Sequence, residues 1–157
     1  MRMRGFTLIE MLVTVAIVGL LASISVPMLE LVSRRNNEQN LREALRQIRT
    51  ALDAYKQAVD EGRVVEESKG SGYPPSLDVL VNGVVDAKSP NKSQKIFFLR
   101  RIPNDPFLME SSDGTTAGWG VRSYASPQGN PQPGIDVFDV YSRAEGVGLN
   151  GIAYKDW

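Results

Sequence analysis

The sequence predicts an α+β fold in which a long amino-terminal helix, apolar in its first half and amphipathic in its second, packs on a small antiparallel sheet. Three observations carry this prediction. Residues 11–29 run for nineteen positions without a charge. Further on, Leu41, Ala44, Leu45, Ile48, Ala51, Leu52, Tyr55, Ala58 and Val59 recur at steps of three and four, the mark of a helix with one buried face. The last 46 residues hold eight of the fourteen glycines and both tryptophans, a composition for turns and short strands. A chain of 157 residues has room for about one domain.

The uncharged run is a membrane-span candidate. As a helix it would measure roughly 28 Å, close to the hydrocarbon thickness of a bilayer. A signal-peptide apolar region is shorter, about 7 to 15 residues, and ends at a small-residue cleavage site. The buried helix of a soluble core rarely stays apolar on every face for this length. Within this setting Glu10 is anomalous, because a carboxylate in an apolar segment costs several kcal/mol unless it finds a partner. A cut after Gly5 would place a new amine on Phe6, one helical turn from Glu10 and on the same face. Pro27 removes a backbone hydrogen bond late in the run and predicts a kink. Gly19, Ser23 and Ser25 lower helix propensity around it and permit close helix approach. Basic residues do not orient the span, since Arg2 and Arg4 on one side balance Arg34 and Arg35 on the other.

Beyond the span one continuous helix is expected from about residue 6 to about residue 60, ending before Gly62. Residues 33–40 carry no large apolar side chain and read as a solvated neck. Arg35, Arg42, Arg46 and Arg49 could form a basic stripe, but Glu38 and Glu43 interleave with them; an ion-paired, solvated face is the better reading. Residues 61–72 are polar and glycine-spiked, a surface connection. Tyr73-Pro74-Pro75-Ser76-Leu77 opens a short helical turn that Ser76 could cap. Pro103 and Pro106 fix an extended turn. The best strands are residues 119–125 and 135–142, joined by a proline-bearing hairpin loop at 126–134. In the second strand alternation puts Asp139 on one face and Asp136 on the other.

Composition excludes several functions. The chain has no cysteine and no histidine, which removes disulfides, thiolate and imidazole nucleophiles and the usual zinc sites. Metal binding would need oxygen ligands. Eighteen basic residues balance eighteen acidic ones, so no nucleic-acid partner is expected. Serines and carboxylates are scattered without the arrangement of a base, a nucleophile or a phosphate loop, and no enzyme is predicted.

The basic leader Met1-Arg2-Met3-Arg4-Gly5, followed by Phe6-Thr7-Leu8-Ile9-Glu10 and the apolar run, resembles the amino terminus of type IV pilins and type II secretion pseudopilins. The resemblance implies residues 1–5 as a cytoplasmic leader, 6–32 as a transmembrane and filament-core helix, and 33–157 as a periplasmic domain. It further implies cleavage after Gly5 by a prepilin peptidase, methylation of the new amine on Phe6, an assembly role for Glu10 and for the bend near Pro27, and anchorage in the inner membrane. The implied partners are copies of the chain in a helical filament, minor pseudopilins and the inner-membrane assembly platform.

More distal segments, Tyr73-Pro74, residues 101–107, residues 136–141 and the glycine-rich stretch 142–151, are similar to the major pseudopilin of type II secretion. That family binds calcium in its terminal loop. The matching ligands here would be Asp136 or Asp139, Ser142, Glu145 and Asn150, with Gly146, Gly148 and Gly151 letting carbonyls turn inward. A glycine-rich turn held by Asn150 and anchored by Tyr154 and Trp157 is the alternative. The chain departs from the family where Phe107-Leu108-Met109-Glu110 replaces the usual Trp-Gly-Asn-Pro, and where the loop carries one acidic residue instead of several. The implied function is a structural subunit of the secretion pseudopilus, with a type IV pilin for adhesion, motility or DNA uptake as the alternative. Many such pilins clamp their terminal loop with a disulfide, which the absence of cysteine forbids.

The mature chain is expected to begin at Phe6 with a methylated amine. Intact-mass measurement of membrane-extracted protein checks this, and a mass that retains residues 1–5 would refute it.

Overall fold

The computed structural model describes residues 6–66, 70–91, 93–108 and 118–157, with the backbone alone at 24–27. The expected leader, including Gly5, lies outside the described residues. Two compact units divide the chain, Met1–Asn36 and Asn37–Trp157.

The described part of the first unit is helical from Leu8, where α1 (Leu8–Asp60) begins. Its large apolar side chains, among them Leu8, Leu12, Ile17, Leu20 and Leu29, are exposed. Within α1 lies a stretch long and apolar enough to cross a membrane. The helix continues through Pro27, whose side chain lies outside the described residues, as does that of Ser25.

The second unit is organised by the distal half of α1. The periodic stripe is buried as the spacing predicts: Leu41, Leu45, Ile48, Leu52 and Tyr55 are each at most 2% exposed. Around them gather α2 (Asp78–Asn82), β1 (Val84–Val85), β2 (Lys95–Ile96), β3 (Trp119–Arg122), β4 (Asp139–Ser142) and a final 3-10 turn, Tyr154–Asp156. Leu77 and Leu80 from the α2 region, Trp119, Val140 and Tyr154 complete one apolar cluster with the stripe. Phe98 meets Tyr55 edge to face, centroids 5.4 Å apart. Helix α1 stops where the sequence says it should. Gly62 takes a positive φ of 68°, its N–H donates to the Val59 carbonyl, and the Arg63 N–H donates to the Ala58 carbonyl, the paired bonds of a Schellman ending.

Among the described residues there are two sheets, each two-stranded and antiparallel, β1 with β2 and β3 with β4. In the second, Trp119 faces Ser142 and Arg122 faces Asp139. The structure corrects the expected strands, the cap of α2 and the neck, and adds a strand pair. The strands expected at 119–125 and 135–142 shrink to four residues each, because the Ser123 N–H turns to the Gln132 carbonyl and the Val137 N–H leaves for the Pro74 carbonyl. Adjacent Asp136 and Val137 are consequently both buried, which alternation forbids within a strand. The β1–β2 pair escaped the sequence reading, since two-residue strands leave no pattern to count. Ser76 does not cap α2: the capping position is Leu77, with no side-chain cap bond, and its side chain serves the core instead. Finally, the stretch read as a solvated neck is exposed only in part, for Glu38 is 5% exposed.

Gly120 lies opposite Tyr141, and a Cβ there would sit 2.3 Å from the Tyr141 ring. Gly120→Ala should therefore cost about 1–3 kcal/mol as overpacking, read as a lower denaturation midpoint. Wild-type stability in the variant would contradict the packing of β3 on β4.

Candidate functional site

Thr7 and Glu10 form a reciprocal pair at the start of α1. The Glu10 N–H donates to Thr7 Oγ1 at 3.3 Å, the Thr7 N–H donates to Glu10 Oε2 at 3.3 Å, and the Thr7 hydroxyl donates to the same oxygen at 3.4 Å. This is a capping box, in which two orphan donors of the first turn are satisfied at once. A carboxylate there also complements the positive end of the helix dipole. Thr7 is a residue the sequence reading missed, although the signal was present as Thr-x-x-Glu ahead of an apolar run. The box holds the Glu10 carboxylate within one turn of exposed Phe6, the residue that cleavage would make the first. An ammonium group there would find an acceptor already oriented. Pro27 lies inside α1, and Gly5 lies outside the described residues.

At the other end of the chain, the five residues considered for calcium are placed in different surroundings. Asp136, almost fully buried, accepts hydrogen bonds from the Ser123 hydroxyl at 2.5 Å and the Tyr124 N–H at 3.0 Å. Asp139 accepts from Arg49 Nε at 2.8 Å and Arg122 Nη2 at 3.4 Å. Ser142 is buried; its hydroxyl donates to Asp105 Oδ2 at 2.5 Å and accepts the Ala144 N–H at 3.0 Å. Glu145 is exposed. Asn150 accepts the Ile152 N–H at 3.1 Å, a local turn bond of the kind expected for the packed alternative.

Two of the three glycine carbonyls are likewise turned to the loop itself. Gly146 accepts the Tyr154 N–H at 3.3 Å and Gly148 accepts the Gly151 N–H at 2.9 Å. Among the described residues no cluster of three acidic side chains is available to hold a metal ion. The donor set as placed does not fit the six to eight converging oxygens that calcium takes.

The same region contains residues that the sequence reading assigned to a solvated face. Glu38 accepts the Leu149 N–H at 2.8 Å and the Tyr154 hydroxyl at 3.3 Å. Arg49 reaches Asp139 and two main-chain oxygens, and the Arg42 guanidinium lies 4.5 Å from the Trp157 ring centroid. Of the expected ion pairs, Arg46 with Glu43 is present. The signal for Glu38 was its position: counting back from Leu45 and Leu41 by four and three reaches residue 38, so it continues the buried stripe.

Comparison with known proteins is consistent at both ends of the chain. Residues 1–26 match the family model "Prokaryotic N-terminal methylation motif". The Type II secretion system core protein G of Dickeya chrysanthemi is 31% identical over 155 residues, 96% of this chain and 95% of that protein. Its counterpart in Aeromonas hydrophila is 33% identical over 106 residues, 68% of each chain. The protein of the same name in Klebsiella pneumoniae is 32% identical over 106 residues, covering 68% of this chain and 70% of its own. No solved structure gives a significant match.

Two carboxylates make the stability of the second unit acid-sensitive. The hydrogen-bonded guanidinium of Arg63 holds Asp86 below its ordinary value. For Asp136 burial pushes upward, but the bonds from Ser123, Ser71 and the Tyr124 N–H outweigh it and the net direction is down. A folded pKa below the unfolded one stabilises the fold above the unfolded value, and that contribution is lost as pH falls through the folded value. The denaturation midpoint should therefore stay level from pH 7 to pH 5 and decline below about pH 4, the ordinary aspartate range. Asp136→Asn should lower the neutral midpoint and flatten the acid decline. A variant whose acid profile matches wild type would remove Asp136 from this account.

Proposed function

The chain belongs to the type II secretion system core protein G family, the major pseudopilins, and from that premise we propose that it is the repeating structural subunit of a secretion pseudopilus. The observation that carries this reading is the combination of the Phe6-to-Glu10 motif with similarity to a core protein G along nearly the whole chain. A type IV pilin role is not favoured, because that near-complete similarity is to a secretion protein.

In this reading the subunit is anchored in the inner membrane by the apolar part of α1, crosses once, and carries residues 33–157 in the periplasm. Prepilin peptidase removes residues 1–5 and Phe6 receives the methyl group. Growth of the filament by subunit addition, with minor pseudopilins and the membrane assembly platform as partners, drives folded proteins outward. The work is mechanical and no catalytic role is assigned to the chain. The helix from Gly19 to Pro27 bends or extends as the subunit leaves the bilayer.

Glu10 has a defined physical task in such an assembly. Two opposite charges attract far more strongly in an apolar medium than in water, and an unpaired carboxylate in that medium is costly. A subunit that offers its methylated amine to Glu10 of a neighbour relieves this cost only in the correct register. The Thr7 bonds hold the carboxylate ready until the partner arrives.

Deletion of the gene should abolish export of folded enzymes into the medium and leave surface motility intact. Complementation with Glu10→Ala should restore normal protein level and a protease-resistant second unit, with neither filaments nor export. Lost motility with intact export would favour the pilus, and filaments of normal number from Glu10→Ala would remove the assembly role.

A further inference from the structure

A divalent cation in a terminal loop performs three services: it neutralises a carboxylate, gathers main-chain oxygens, and ties separate segments of chain together. In this protein all three converge on a side chain. Arg49 of α1 donates from Nε to Asp139 Oδ1 at 2.8 Å, and from Nη2 to the Val140 carbonyl at 3.1 Å and to the Trp157 main-chain oxygen at 2.7 Å. We propose that the Arg49 guanidinium occupies the role of the loop cation, so that residues 142–157 are fastened to α1 without calcium.

The surroundings support the assignment. Asp139, the strand carboxylate on this side, is also bonded to Arg122 and to the Val140 N–H, so an incoming metal would have to displace two guanidinium contacts and a backbone donor. A guanidinium suits the task because its fixed fork of donors can satisfy several oxygens at once, where an ammonium is a point charge. Arg49 does not act alone. Glu38 accepts from Leu149 and Tyr154, and Arg42 lies over the Trp157 ring. Positions 38, 42 and 49 are separated by one and two helical turns, so the three fastenings lie on one side of α1.

Gly148 of the loop serves close packing in this arrangement. A Cβ on Gly148 would meet the Trp157 ring at 2.3 Å, and the Trp157 indole N–H donates to the Ile152 carbonyl at 3.1 Å. These contacts lie within the second unit, so the inference is read without any assembly or export assay, and its failure is separable from failure of the proposed function.

Full-length protein in detergent micelles provides the test. The thermal midpoint of wild type, followed by near-ultraviolet circular dichroism, should be the same with millimolar calcium chloride and with chelator, and calorimetric titration with calcium chloride should show no micromolar site. A bound ion must raise the midpoint by linkage, by several degrees at about 100 times its Kd. Arg49→Met keeps the apolar stem and removes the cation; it should lower the midpoint by several degrees and speed hydrogen exchange at residues 143–157, with no recovery on adding calcium. Arg49→Lys should fall between the two, because charge without the fork restores only part of the bonding. A calcium-dependent rise in the wild-type midpoint would overturn the proposal, as would Arg49→Met with unchanged midpoint and unchanged exchange. Should Arg49→Met fail to fold, the wild-type calcium arms and Arg49→Lys still decide it.

Discussion

Burial of one stripe of α1 is the constraint from which the rest of the second unit follows. Leu41, Ile48, Leu52 and Tyr55 are all but inaccessible to solvent, yet the regular elements that join loops in covering them are a five-residue helix, strands of two and four residues and a three-residue 3-10 turn. None of these pieces could hold its shape alone, since isolated short helices and two-stranded hairpins are marginal in water. Each becomes stable by lying against the stripe. Truncating a residue such as Leu52 would remove a shared surface, and core leucines of this kind typically contribute about 2–5 kcal/mol.

Because the covering segments are so short, polar bonds must fix their positions. Buried carboxylates do much of this: Asp136 gathers the turn after β3, Asp105 meets Ser142 at the end of β4, and Glu38 meets the terminal loop. Each accepts at least one hydrogen bond from a segment distant in sequence. A polar contact of this sort specifies a single arrangement more sharply than apolar packing does. The amino-terminal end of α1 uses the same chemistry differently. At Glu10 the bonds come from Thr7 only three residues away, leaving the carboxylate exposed and able to change partner.

What the sequence makes legible follows from the range of each interaction. The extent of α1, its glycine ending and its buried stripe depend on neighbours within a turn or two, and spacing alone reports them. So does the amino-terminal motif, apart from the Thr7 bonds, whose Thr-x-x-Glu pattern was readable. The two-residue strands β1 and β2 were illegible because a period of two needs more residues to register. Asp136 could not be placed by alternation, since it lies ahead of β4, where the Val137 N–H is bonded to the Pro74 carbonyl. The fate of Arg49 depended on residues 90 to 108 positions away. No local pattern distinguishes an arginine that will meet such partners from one that points to water, whereas Glu38 announced itself by falling on the stripe.

The brevity of the strands also bears on how such a chain can be stored. A subunit at high local density runs the risk of joining its neighbours through exposed strand edges, the route to disordered aggregates. Edges of two and four residues present too few free backbone groups in register to template that pairing. Regular order along the described chain is thus concentrated in α1, whose surface offers side chains and few free backbone groups, and withheld from β structure, where contacts between copies would be made by backbone and indiscriminate.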